Sequence, residues 1–208
     1  MRKEGIAKPL NAEKLSVILQ DIQENSAFAV RDKALVLVSF RSGLRVGEIA
    51  SLVWDDILTK NGEIKETFSL RKATTKGKKG GLAFFTHPEL RSALSDLLAE
   101  TLSVKSICEG SATSVKSICR EDPVFRSRKG GAFSNVSLSR LFTNTYARAG
   151  MEGLSSHSGR KGLCKALNEA NVNVYNIQKV LRHSSISTTI NHYISVDEDL
   201  LANMVKGV

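Results

Sequence analysis

Apolar residues recur every three to four positions along most of this sequence, and the rhythm breaks in one stretch. That spacing belongs to amphipathic helices, whose inward face carries positions i, i+3, i+4 and i+7. Leu15, Ile18, Leu19 and Ile22 follow it, with Asn11 placed as an N-cap. From about Ala27 to Phe40 the chain is apolar over much of its surface (Ala34, Leu35, Val36, Leu37, Val38), which predicts a central, buried helix. After Ser42-Gly43 a third helix is expected through LRVGEIASLVWDDI, packing through Ile49, Leu52 and Val53. Another should follow a Thr86–Glu89 capping box, with Pro88 in its first turn and Leu90, Ala93, Leu94, Leu97 and Leu98 on one face. Further helices are expected at about Ser137–Ala149, Ser156–Asn171 and, capped by Asn173, through Val174, Ile177, Val180 and Leu181. A short Ser/Thr-rich helix and a last one from Ser195 complete the pattern.

The break lies at 56–86. Asn61-Gly62 is a hairpin signal between short apolar stretches. TFSL and LAFF read as two more strands joined by a turn rich in glycine and lysine. The reading is therefore a mainly helical α+β domain over residues 1–208 with a small three-stranded antiparallel sheet. SVKSIC occurs at 103–108 and again at 114–119. Two copies are too few for a solenoid, so they read as a local duplication in a surface connection.

Charge narrows the partner. Thirty Lys+Arg against 21 Asp+Glu leave a formal +9, which favours a polyanion, nucleic acid before an anionic membrane. No apolar run approaches the roughly 18 residues that span a bilayer. The first residues lack the apolar core of a secretory signal. Three cysteines cannot form a disulfide scaffold and suit a reducing compartment. Histidine and cysteine spacings match no zinc motif, and no metal or other cofactor is expected.

A few polar residues carry the chemistry. Arg45 begins a helix with Glu48 one turn on. His157 and Arg160 share the first turn of another, in SSHSGRKG. His183 ends a helix at LRHSS, and Tyr193 lies ten residues later. Lys76 sits in the turn ATTKGKKGG. Helix N-termini bind phosphates through exposed N–H groups, and an arginine adds a bidentate fork. Singly, each feature has an ordinary reading: an ion pair on a helix face, a solvated lysine, a helix-capping histidine. The set, in this order and spacing, is far less ordinary.

SGLRVGEIASLVWDDI resembles the first signature of the tyrosine recombinases, the phage-integrase family. HSGRKGLCKALNEANVNVYNIQKVLRHSSISTTINHYI resembles the second, and TTKGKKG resembles the lysine-bearing hairpin turn between them. The likeness runs from about Leu10 to Tyr193. It implies that Arg45 and Arg160 grip a scissile phosphate, with Glu48 supporting Arg45. It implies that Lys76 protonates the leaving 5′-oxygen, His157 assists proton transfer at the nucleophile and His183 contacts the phosphate. Tyr193 would form a 3′-phosphotyrosyl link. Arg182 stands where the family usually has glycine, and Gly159 where leucine is common.

The implied activity is site-specific recombination of double-stranded DNA, of integrase or invertase type. Type IB topoisomerase-like relaxation and a non-cutting DNA-binding regulator are the alternatives. Arg71, Lys72, Lys78 and Lys79 should touch DNA backbone beside Lys76. The resemblance further implies assembly on DNA from dimer to tetramer, an accessory DNA-bending factor, and a cytoplasmic, nucleoid-associated setting in a prokaryotic or viral host cell. The family's N-terminal clamp domain is expected to be absent from the chain. Residues 195–208 form either an arm docked on a neighbouring protomer or a helix folded back on its own domain.

Overall fold

The computed structural model describes residues 8–74, 80–109 and 119–193, with the side chains of 74, 104–109 and 191–193 outside the description. Helix α1 (Ala12–Asn25) begins where Asn11 accepts the Lys14 N–H at 3.0 Å, and buries Leu15, Ile18 and Ile22. Helix α2 (Ala29–Leu37) is buried through Ala34, Leu35, Val36 and Leu37. It runs straight into a π-helical turn, Val38–Ser42, that ends at Gly43 in the left-handed region, φ +60°. The helix read from the apolar run is thus α2 plus a widened final turn. Such turns recur at functional sites, where they re-aim the next segment of chain.

The single helix expected after Gly43 is two short ones, α3 (Val46–Ala50) and α4 (Trp54–Ile57). Between them the backbone turns extended. Leu52 accepts the Val124 N–H at 2.9 Å, and Val53 bridges to Pro123. Asp56 then caps the Val53 N–H at 3.1 Å. Pairing with a distant segment outweighs one more helical turn.

Among the described residues the sheet has two strands, not three. β1 (Thr67–Leu70) pairs antiparallel with β2 (Gly81–Phe84), Thr67 facing Phe84 and Leu70 facing Gly81. The Asn61-Gly62 turn forms, but its limbs close by one bridge, Leu58 to Ile64. Helix α4 takes the chain up to Ile57, so too few residues remain for a ladder. A short 3₁₀ turn, Lys72–Thr74, follows β1.

Helix α5 (Pro88–Glu109) includes the first SVKSIC copy, so that copy continues a helix; most of the second lies outside the described residues. Glu89 reaches Arg41 at 2.9 Å, in place of the box expected with Thr86. Helices α6 (Asn135–Arg148), α7 (Ser158–Glu169), α8 (Val174–Leu181) and α9 (Ile186–Tyr193) complete the order. The main core gathers α1, α2, α5 and α6 around Trp54, Phe85, Phe125, Phe142 and Tyr146. A smaller cluster of Cys164, Ile177 and Leu181 joins α7 to α8. Among the described residues no helix is long and apolar enough to cross a membrane.

Candidate active site

The site begins where α7 is pressed against the π turn. A Cβ at Gly159 would lie 3.0 Å from the Phe40 backbone nitrogen and would collide with Ser39. One at Gly162 would lie 2.7 Å from the Phe40 ring and would run into the Leu10 carbonyl. Two glycines one turn apart therefore let the helix approach main chain directly. This accounts for Gly159 at a position where leucine is common in the family. The approach carries Arg160, which is 2 % exposed, to the Gly43 and Leu181 carbonyls, and its guanidinium donates to both.

Arg45 meets the same backbone from the other side. Glu48 is the N3 residue of α3, and its carboxylate reaches back to the Arg45 N–H at 2.8 Å, the return half of a capping box. Its other oxygen takes the Arg45 guanidinium at 2.8 Å. The remaining end of Arg45 donates to the Arg182 carbonyl at 2.9 Å. Arg45 and Arg160 thus anchor on adjacent carbonyls, those of residues 182 and 181, although 115 positions separate them in the chain. The Arg45 side chain stays about a quarter exposed, at 27 %, whereas Glu48 is sealed at 1 %.

A third guanidinium enters here. Arg182 donates to Glu48 at 3.1 Å, to Gly43 at 3.2 Å, to Val180 at 2.9 Å and to Leu82 of β2 at 3.1 Å. Burial pushes the Glu48 carboxyl up, but the Arg182 charge and the Arg45 N–H and guanidinium outweigh it, and the group lies below its ordinary 4.5. Burial lowers Arg182 below the usual guanidinium range, and Glu48 opposes that.

Both histidines border this cluster. His183 follows the left-handed cap of α8 and is 8 % exposed. Its Nδ1 meets the Thr189 hydroxyl of α9 at 2.8 Å, which fixes the ring. His157 is the exposed residue preceding α7. Its pKa lies below 6.5, first from desolvation and then from the charges of Arg160, Lys161 and Arg45. Two of those charges belong to the cluster, and they shift the imidazole toward its neutral form.

Arg45, Glu48, His157, Arg160 and His183 are therefore brought to one region. Tyr193 is the last described residue of α9, the helix that also carries Thr189; its side chain lies outside the described residues. Lys76, Lys78 and Lys79 lie outside them altogether, as do residues 195–208. Lys72 is exposed. Arg71, 46 % exposed, pairs with Asp56 at 3.1 Å and donates to the Ser51 carbonyl. Sequence reading missed the Arg182 side chain as a member of the cluster, and Thr189 as the partner of His183. The only signal was the presence of an arginine where a small residue was expected.

Two arginines meeting on adjacent carbonyls, a histidine of lowered pKa beside them and a tyrosine-bearing helix next door make up the candidate site. The Phage integrase family matches residues 8–199, and the chain belongs to it. Tyrosine recombinase XerC of Syntrophus aciditrophicus (strain SB) is 25% identical over 182 residues, which are 86% of this chain and 54% of that protein. Transposase A from transposon Tn554 of Staphylococcus aureus is 28% identical over 180 residues, 83% of this chain and 46% of its own. Among solved structures, the XerA recombinase superposes on 98% of this chain and 66% of its own, with a TM-score of 0.72 at 19% identity. The Tn1549 transposon integrase, in complex with transposon right end DNA, covers 100% of this chain and 67% of its own, with a TM-score of 0.73 at 15% identity. The fold is that of the tyrosine recombinase catalytic domain. The chain spans about half the length of the curated relatives it matches.

Proposed function

We propose that this chain cuts and rejoins double-stranded DNA at specific sites through a covalent tyrosine intermediate. The observation that carries the reading is the meeting of Arg45 and Arg160 on the carbonyls of residues 182 and 181, with His157 near both arginines and His183 next in the chain to residue 182.

The chemistry follows from the charges. In-line attack on a phosphodiester places extra negative charge on the non-bridging oxygens, and preorganised guanidinium groups stabilise that charge selectively. The Tyr193 phenol loses its proton, with His157 as the neutral acceptor, and its oxygen bonds to phosphorus. The bond from phosphorus to the 5′-oxygen breaks, and Lys76 returns a proton to the leaving oxygen. His183, its ring fixed by Thr189, donates to a phosphate oxygen. Reversal by a different 5′-hydroxyl rejoins the strands. The phosphotyrosine keeps the energy of the bond it replaced, so this route calls for no nucleotide. Lys72, Lys78 and Lys79, with Arg71 at the base of the turn, contact the DNA backbone and make affinity dependent on salt. Residues 195–208 act as an assembly arm between protomers on DNA.

The test is a suicide substrate whose cut end diffuses away. The wild-type chain should accumulate a covalent protein–DNA adduct. Tyr193→Phe should bind the same DNA with unchanged affinity and form none. Adduct formation by Tyr193→Phe would refute the nucleophile, and affinity without any adduct in the wild type would favour a non-cutting regulator.

A further inference from the structure

Arg182 is held too firmly to be a surface residue that happens to be basic. Its side chain is 7 % exposed. Its backbone is left-handed, φ +54°, a region that costs a residue bearing a Cβ but not glycine. Its arm passes over Gly81, where an added Cβ would come 2.7 Å from Arg182 Cδ. The four acceptors it donates to come from α3, the turn after the π segment, α8 and β2. The guanidinium touches both partners of the arginine pair, since Glu48 holds Arg45 and the Gly43 carbonyl holds Arg160.

The balance of charge at Glu48 gives this position a task. A buried carboxylate is a good splint for Arg45, because it fixes the fork at 2.8 Å. Alone, it would also cancel the charge that a phosphate needs. The second arginine at 3.1 Å on the opposite oxygen changes the sum. Two guanidinium groups against one carboxylate leave a net positive charge at the cradle, while the splint stays in place.

We propose that Arg182 is a positioning residue that offsets the charge of Glu48, so that Glu48 can orient Arg45 without neutralising the phosphate site. The inference rests on the strand-cutting reading above. Arg182 itself stays inside the protein and does not touch DNA.

The experiment compares single-turnover cleavage and DNA affinity for the wild type, Arg182→Gly, Arg182→Lys and Arg182→Gly combined with Glu48→Gln. Glycine suits the left-handed backbone, so Arg182→Gly should fold. It should cleave about 10- to 100-fold more slowly, a scale borrowed from groups that orient the ligands of metal sites, with DNA affinity little changed. Arg182→Lys should recover part of the rate. The double variant should cleave faster than Arg182→Gly, because the uncompensated carboxylate is gone. A merely structural role predicts the reverse, with the double variant slowest. Wild-type rate in Arg182→Gly, equal losses of affinity and rate, or a double variant slower than Arg182→Gly would each overturn the proposal. A separate reading does not depend on cleavage: the Glu48 carboxyl, followed by carbon NMR, should titrate at higher pH in Arg182→Gly. An unmoved midpoint contradicts the inference even if the wild type proves inactive, an outcome that by itself would sink only the strand-cutting reading.

Discussion

Among the described residues, two buried arginine–carboxylate clusters are built on different arithmetic. Near the α1–α2 corner, Arg31 and Asp32 pair at 2.8 Å with side chains 9 % and 7 % exposed. Asp32 also accepts from Ser26 at 2.6 Å, while Arg31 donates to the Arg126 carbonyl and lies 4.3 Å from the Phe28 ring centre. One cation meets one anion, and neighbouring groups complete the shell. At Glu48, Arg45 and Arg182 converge on a single carboxylate, and Arg160 is tied alongside through Gly43. A balanced cluster locks a corner. In the proposed function the unbalanced one is completed by the DNA phosphate, so that an excess of one sign, rather than burial of charge, separates the two clusters.

The comparison breaks most visibly if the two clusters respond alike. Arg160→Lys replaces a planar fork by a point charge. It should slow cleavage by roughly 10²–10³-fold, the scale for removing one preorganised donor, with a small shift in melting temperature. A large fall in stability and an unchanged rate per folded molecule would put Arg160 in the structural class. Asp32→Asn should do the opposite. Removing one partner of a buried pair costs about 3 kcal/mol or more, so the melting temperature should drop clearly while the folded protein still cuts. Slow cleavage by a stable Asp32→Asn variant would erase the distinction between the clusters.

Acid sensitivity offers a finer cut. His157 is less readily protonated in the folded state than in the unfolded chain, where it should titrate near its ordinary 6.5. Protonation thus favours unfolding, and this group withdraws stability only as pH falls below 6.5. If the neutral ring takes the tyrosine proton, the acid limb of the cleavage profile lies below 6.5 as well, and His157→Asn should lower the plateau and flatten that limb. An acid limb centred above 7 would assign it to another group.

The mildest change is Arg71→Ala. Its own side chain is nearly half exposed in the pair with Asp56, and pairs open to solvent contribute under about 1 kcal/mol. If Arg71 also meets the DNA backbone, the slope of log affinity against log salt should fall by about one. An unaltered slope would leave Arg71 to Asp56 alone.

Helix positions were legible from apolar spacing because that signal is local. Leu15, Ile18 and Ile22 report their own helix, and Asn11 and Asn173 report where helices begin. The split between α3 and α4 was not legible, since Leu52 and Val53 answer to Pro123 and Val124, about 70 positions away. The third strand failed for a neighbouring reason: α4 took the residues that would have built it. At the site, Arg45, Glu48, His157, Arg160 and His183 were all legible from motif and spacing. The task of Arg182 was invisible because a lone arginine carries no sign of which carboxylate it will share. Even Gly159, an apparent departure, became intelligible only once the Phe40 backbone was seen against it.

The most direct measurement is mass-spectrometric mapping of the adduct trapped on suicide DNA. The account predicts a phosphodiester-linked nucleotide on Tyr193 and on no other residue, formed by the wild type and lost in Arg45→Ala and Arg160→Ala. A nucleotide on a different side chain, or adduct yields that ignore both arginines, would contradict it.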